Sequence, residues 1–177
     1  MRSGIVALGN KDGPIIGENP LQIIEFVSKK QSRVCRSTFT AELYASLDLI
    51  SLANVINLAL TEVLAGCKNA VTMAEIQESV LNALEMDAVL DAKSVYECIR
   101  SSDTKSTTDR LMLIHALKLK ELLTLRVVHR LLWVDTRDML ADALNKGSIA
   151  RDAIHFACAN GTWRIAYELQ SHAEART

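Results

Sequence analysis

A chain of 177 residues, 49% of them hydrophobic, is long enough for one ordinary domain with a real core and excludes a peptide too small to bury one. Its net charge of −1 excludes nucleic-acid binding by overall charge, so any such contact needs a local basic patch. The four cysteines (Cys35, Cys67, Cys98, Cys158) are scattered without a CxxC pair, which argues against a disulfide frame or zinc site and predicts reduced thiols in an intracellular, cytoplasmic or nuclear protein.

The opening MRSGIVALGNKDG has too short an apolar run for a signal peptide. GIVAL, residues 4–8, predicts a short strand, NKDG a turn and PIIGENP a loop. Residues 21–35, LQIIEFVSKKQSRVC, predict a longer strand with a basic end. A helix follows over residues 38–66, with Ser37, Thr38 and Thr40 as fair N-cap residues and Gly66 as the C-terminal cap. Apolar residues cover most of its circumference, but Asp48, Asn54, Asn57 and Glu62 interrupt them. The pattern predicts a buried helix, the most buried of the chain, rather than a membrane span.

Residues 71–84 predict a second helix, DAVLD at 87–91 a short strand, and AKSVYECI another helix. SSDTKSTTD is a polar loop. Residues 110–123 predict a helix, RVVHRLLWV at 126–134 a strand, and 136–146 a further helix. The remainder, 148–177, is set apart as a tail from a domain over 1–147; it holds an amphipathic turn and GTWRIAYE, whose state the pattern leaves open. Two strands followed by alternating helices and strands predict a mixed α/β domain with one sheet.

Three acids stand in apolar settings, where a carboxylate is costly unless paired or bound to a cation. Glu42 lies in the early turns of the long helix, where the helix dipole also suits it. Asp91 ends a predicted buried strand, the position at which α/β folds place ligands. Asp142 lies in LADALNK, among Leu140, Ala141 and Leu144. Carboxylates from three elements could converge on magnesium, which prefers oxygen ligands; exposure on the surface is the plain alternative for each.

SKKQSRVCRSTFTAEL resembles the segment around the second catalytic acid of the ribonuclease H domain in copia-type retrotransposon Pol polyproteins. VLDAKSVYECI is similar to that family's third-acid segment, and TTDRLMLIHALKLKELL…LLWVDTRDMLADALNKG to its closing stretch, with a WVPT-like strand end and an LADxLTK signature. The three pieces fall in the family's order between residues 2 and 147, and more loosely to Trp163. The resemblance implies a ribonuclease H-like mixed sheet with flanking helices. It gives Glu42, Asp91 and Asp142 the roles of three catalytic metal ligands in a two-magnesium site that hydrolyses RNA in RNA–DNA hybrids. One ion activates a water and the other steadies the leaving oxygen.

The family's fourth acid, an aspartate on a central first strand, precedes the segment that corresponds to RSGIVAL. Asp12 cannot stand in for it, because the NKDG turn lies at the far end of a hairpin. Asp135 replaces the proline of WVPT, and Asn145 the threonine of LTK. The expectation is an incomplete and inactive copy. Its three carboxylates should share one edge of the sheet, and the strands flanking the absent one should either close on each other or stay apart with open edges.

Lys29, Lys30, Arg33 and Arg36 form a basic run that suits hybrid phosphates, with Arg110 and Lys146 as helpers; a solvated strand end explains the run equally well. The four histidines lack metal spacing, although His155 could approach the site as a proton carrier. Trp133 and Trp163 suit packing better than base stacking. The implied partners are an RNA–DNA hybrid and the reverse transcriptase module of the polyprotein, with no membrane. A non-catalytic binding domain and a structural remnant are the alternatives.

Overall fold

The computed structural model describes residues 2–30, 35, 37–66, 84–101, 110–145 and 151–173. In these, the mixed α/β class expected from the sequence is found, but the strands form two three-stranded sheets rather than one. Strand β1 (Arg2–Gly9) pairs antiparallel with β2 (Gly17–Lys29), and β2 pairs antiparallel with β5 (Thr162–Ile165). In the second sheet β3 (Asp87–Leu90) runs parallel to β4 (Arg130–Val134), which pairs antiparallel with β6 (Leu169–His172). Among the described residues the edge strands β1, β5, β3 and β6 each pair on one side only.

The hairpin follows from its turn. Gly13 closes the NKDG turn with a bond from its amide to the Asn10 carbonyl (2.9 Å) and adopts a φ of 75°. It also lies so close to Arg130 and Asp87 that a side chain there would collide with both. GENP, expected as loop, belongs to β2 because the buried Asn19 organises it. The Asn19 side chain accepts from the Ile15 amide (2.7 Å) and donates to the carbonyls of Ile15 (2.8 Å) and Trp163 (3.2 Å). A register shift between Val6 and Ala7 leaves Ile24 as an extra residue and bends the ribbon.

Helix α1 (Thr38–Ala65) has the predicted ends. The Ser37 hydroxyl accepts from the Thr40 amide, and Gly66 closes the last turn at φ 67°. Its burial differs from expectation. Leu43 and Ile50 enter the core, but Val55, Val63 and Leu64 are exposed, and only 17% of the most apolar window is buried. By length and composition alone this helix could cross a membrane. An all-round apolar helix offers no unique inward stripe, so its pattern cannot set the depth at which it lies.

Helices α2 (Lys93–Arg100) and α3 (Arg110–Thr124) complete the layer over the second sheet. Alternation along the strands divides two cores. Ala88, Leu90, Leu131 and Trp133 face the helices and pack with Leu43, Ile50, Val95, Tyr96, Ile99 and Leu119. On the other side Val89, Val134 and Leu169 meet Ile5 and Leu21 of the first sheet, together with Leu140, Trp163 and Ile165.

Strand β4 begins at Arg130 rather than at 126, because Arg126 turns into the left-handed region at φ 59°. Bonds from the Val128 amide to the Leu122 carbonyl and from the His129 amide to the Met86 carbonyl then steer the chain alongside β3. The helix expected over 136–146 is replaced by two 3-10 turns, Thr136–Asp138 and Leu140–Leu144, with Met139 extended between them. The stretch read as a tail contributes helix α4 (Asp152–Asn160) and an edge strand to each sheet. The predicted helix at 71–84 lies almost wholly outside the described residues, as does most of the loop at 101–109.

Candidate acidic site

The three acids are placed by three elements: Glu42 by α1, Asp91 by the end of β3 and Asp142 by the second 3-10 turn. Asp91 directly follows β3, half-buried, and its carbonyl accepts the Trp133 indole N–H (2.8 Å). The opposite end of β3 is marked by Asp87, whose carboxylate binds Arg130 at 2.6 Å; the same guanidinium donates to the Asp12 carbonyl at 3.0 Å. Asp12 therefore sits at the far end of β3 from Asp91. The turn after β1 thus meets the start of β3.

Helix α1 links the two ends. Leu49 presses on Gly4 near the start of β1, and eight residues later the Asn57 amide donates to the Leu84 carbonyl (2.8 Å), just before β3. Glu42 precedes Leu49 by two turns, so it lies toward the start of β1, exposed on the early part of α1. Asp142 lies in the second 3-10 turn and is 8% exposed. The end of that turn is held to β2 by the Ser28 hydroxyl, which bonds the Leu144 carbonyl (3.3 Å) and the Asn145 side chain (2.9 Å). Ser28 pairs with Ser3, so Asp142 too lies toward the start of β1.

Among the described residues no three of the histidines, cysteines, aspartates and glutamates stand close enough to hold a metal ion. Glu42, Asp91 and Asp142 are thus not gathered as one three-ligand cage, and the fit to a two-magnesium centre fails on that count. No family model, curated protein or solved structure matches the chain.

The basic run is only partly described. Lys29 and Lys30 are exposed at the end of β2, whereas Arg33 and Arg36 lie outside the described residues, as does Lys146. His155 is exposed on α4. Both tryptophans are in the cores, as expected, each with its indole N–H on a main-chain carbonyl: Trp133 on Asp91 and Trp163 on Asp138.

Two polar clusters escaped the sequence reading. Asp138, 5% exposed, accepts the Tyr167 amide on its carboxylate (2.9 Å) while its carbonyl takes the Trp163 indole (2.8 Å). It thereby fastens the end of β4 to the β5–β6 connection. At the Asp12 end, Arg130 forks onto both oxygens of Asp87, and His129 stands 3.3 Å from Glu85. Hydrogen bonding to Asp87 pushes the Arg130 guanidinium further toward the charged form. Nothing in local spacing announces either cluster, since each is built from residues tens of positions apart.

Proposed function

We propose that the chain is a ribonuclease H-like domain of a retrotransposon-derived Pol protein. Its ancestor was a two-magnesium endonuclease cutting RNA in RNA–DNA hybrids, and this chain, whose three candidate acids are not gathered into one metal cage, does not cleave. The reading rests on the ordered resemblance of three segments. What supports it in the structure is element type: the motif residues Glu42, Asp91 and Asp142 fall on an early helical turn, just past a strand end and in a late turn. Magnesium is carried by the resemblance alone.

The activity that remains in this reading is intracellular binding of a hybrid, with the Pol reverse transcriptase module as protein partner. Lys29 and Lys30 project from the end of β2 and supply exposed charge for phosphates. Helix α1 is read as a flank of the core rather than a membrane span, because Leu43, Ile50 and Asn57 anchor it to the strands.

The deciding experiment incubates the purified chain with a labelled RNA–DNA hybrid and magnesium, and separately measures hybrid affinity against salt. No cleavage is expected, with binding that weakens steeply as salt rises. The pair Lys29→Glu and Lys30→Glu should lower the salt slope by about 2 and weaken binding to all sequences alike. Robust cleavage that Glu42→Gln abolishes would overturn the inactive assignment while supporting the family. Absence of both binding and cleavage would leave only a remnant.

A further inference from the structure

Past its contact with β5, strand β2 carries an aromatic ring into solvent. Phe26 is 63% exposed, although it lies in the ladder with β1, opposite Ile5, which packs against the second core. A ring of this size left in water forgoes the gain that its burial would bring.

Strand alternation fixes the neighbours of this ring. Val27, opposite Gly4, turns to the side of α1, where Leu49 meets Gly4. Phe26 and Ser28 therefore share the other face, and Lys30 continues that series just past the strand. The Ser28 hydroxyl bonds the Leu144 carbonyl and the Asn145 side chain, so the face runs onto the turn that carries Asp142. From Phe26 to Lys30 the chain spans about 13 Å, room for a few nucleotides.

The surroundings select the partner. Gln22, Ser28, Lys29 and Lys30 are exposed and polar, and Ile24 adds a smaller apolar surface. The exposed Glu25 carboxylate is turned back onto the Phe26 amide (2.8 Å). A protein interface is built on a contiguous apolar centre, which one ring among polar side chains does not supply. An aromatic ring beside exposed lysines suits single-stranded nucleic acid, with a base on the ring and phosphates on the cations. Bases inside a duplex keep their faces stacked on each other, so the ring takes a base from an unpaired stretch.

We infer that Phe26 is a stacking platform for an unpaired base, on a strand whose phosphates continue over Ser28 to Lys30. On a hybrid, the part recognised is a single-stranded overhang rather than the duplex. This deepens the hybrid-binding role proposed above and rests on it for the lysine contacts.

The test measures fluorescence anisotropy of the full chain with three labelled RNA–DNA hybrids: one blunt, one with a short DNA overhang, and one whose overhang is abasic. The ordinary overhang should strengthen binding about tenfold over the blunt hybrid. The abasic overhang, with the same phosphates and no bases, should recover little of that gain. Phe26→Ala and Phe26→Leu should both erase the gain and leave blunt-hybrid affinity unchanged, because leucine keeps apolar area but offers no π face. Phe26→Tyr retains the ring and should keep the gain, which separates stacking from any change of fold.

Equal binding of the abasic and ordinary overhangs would overturn the inference, as would full retention of the gain by Phe26→Leu. Failure of the blunt hybrid alone, with Phe26-dependent binding of the overhang intact, would remove the duplex contact and leave the platform standing. Failure of all three hybrids would sink both.

Discussion

Asp138 illustrates how much a single buried carboxylate can organise. Its oxygen takes the Tyr167 amide and its carbonyl takes the Trp163 indole, joining three elements at one point. Replacing it with alanine leaves the Tyr167 amide without its acceptor, at a cost of about 1–3 kcal/mol. Asp138→Asn keeps an acceptor oxygen and should cost less; urea denaturation of the two variants measures the difference. Asp135 has a different character, half-buried and paired with Arg137 at 2.8 Å, and the hydrogen bond from Arg137 lowers its pKa to about 2. A depressed carboxylate stabilises the fold above its unfolded pKa and loses that contribution as pH falls through the folded value. The stability gap between the wild type and Asp135→Asn should therefore close between about pH 4 and pH 2. An NMR titration should find the Asp135 midpoint near the lower limit. None of this was legible in the sequence, where Asp135 reads only as a departure from proline and Asp138 as one acid among many. The role of Asp138 depends on partners that the fold brings from residues 163–167, and that of Asp135 on the turn that sets Arg137 against it.

At the level of elements, punctuation was more informative than hydropathy. Ser37 and Gly66 define the ends of α1 because a cap is a local hydrogen-bond demand, and such demands are written in adjacent residues. Depth was not legible for the same helix, since apolar residues all round it do not say which side meets the strands. Gly4 supplies the missing information, but only in three dimensions. A Cβ placed there would stand 2.6 Å from the Leu49 side chain, so α1 lies against β1 because this position has none. Gly4→Ala should destabilise the chain by about 1–3 kcal/mol through overpacking. Gly4→Ala combined with Leu49→Ala should cost less than the sum of the two single changes, and a double-mutant cycle by thermal melting detects that coupling. Additive effects would place α1 elsewhere. The long predicted helix at 136–146 failed for a related reason. Propensity sees a helical composition, whereas the Asp138 carboxylate and the extended Met139 divert the chain into two short turns.

For the whole molecule, the residues beyond 161 decide whether two small sheets act as one body. Strand β5 completes the first sheet, β6 completes the second, and Trp163, Ile165 and Leu169 join the core between them. A chain ending after Asn160 should lose its single cooperative unfolding transition in urea, with both sheets affected together; an unchanged transition would show that each sheet stands alone. The composition of GTWRIAYE gives no hint of this, because strands of four residues depend on the edges they meet rather than on their own preference. The same arrangement has a consequence for biosynthesis. Asn19 is bound to a carbonyl 144 positions later, and β4 also waits for residues near 170. At ordinary translation rates β2 must wait on the order of ten seconds for its closing partner to be made. Folding is thus forced to be late and long-range, which is slow in topologies of this kind. Nascent chains carrying this segment should depend on a holding chaperone at the ribosome, and they should reach the native state only after β6 has cleared the exit tunnel.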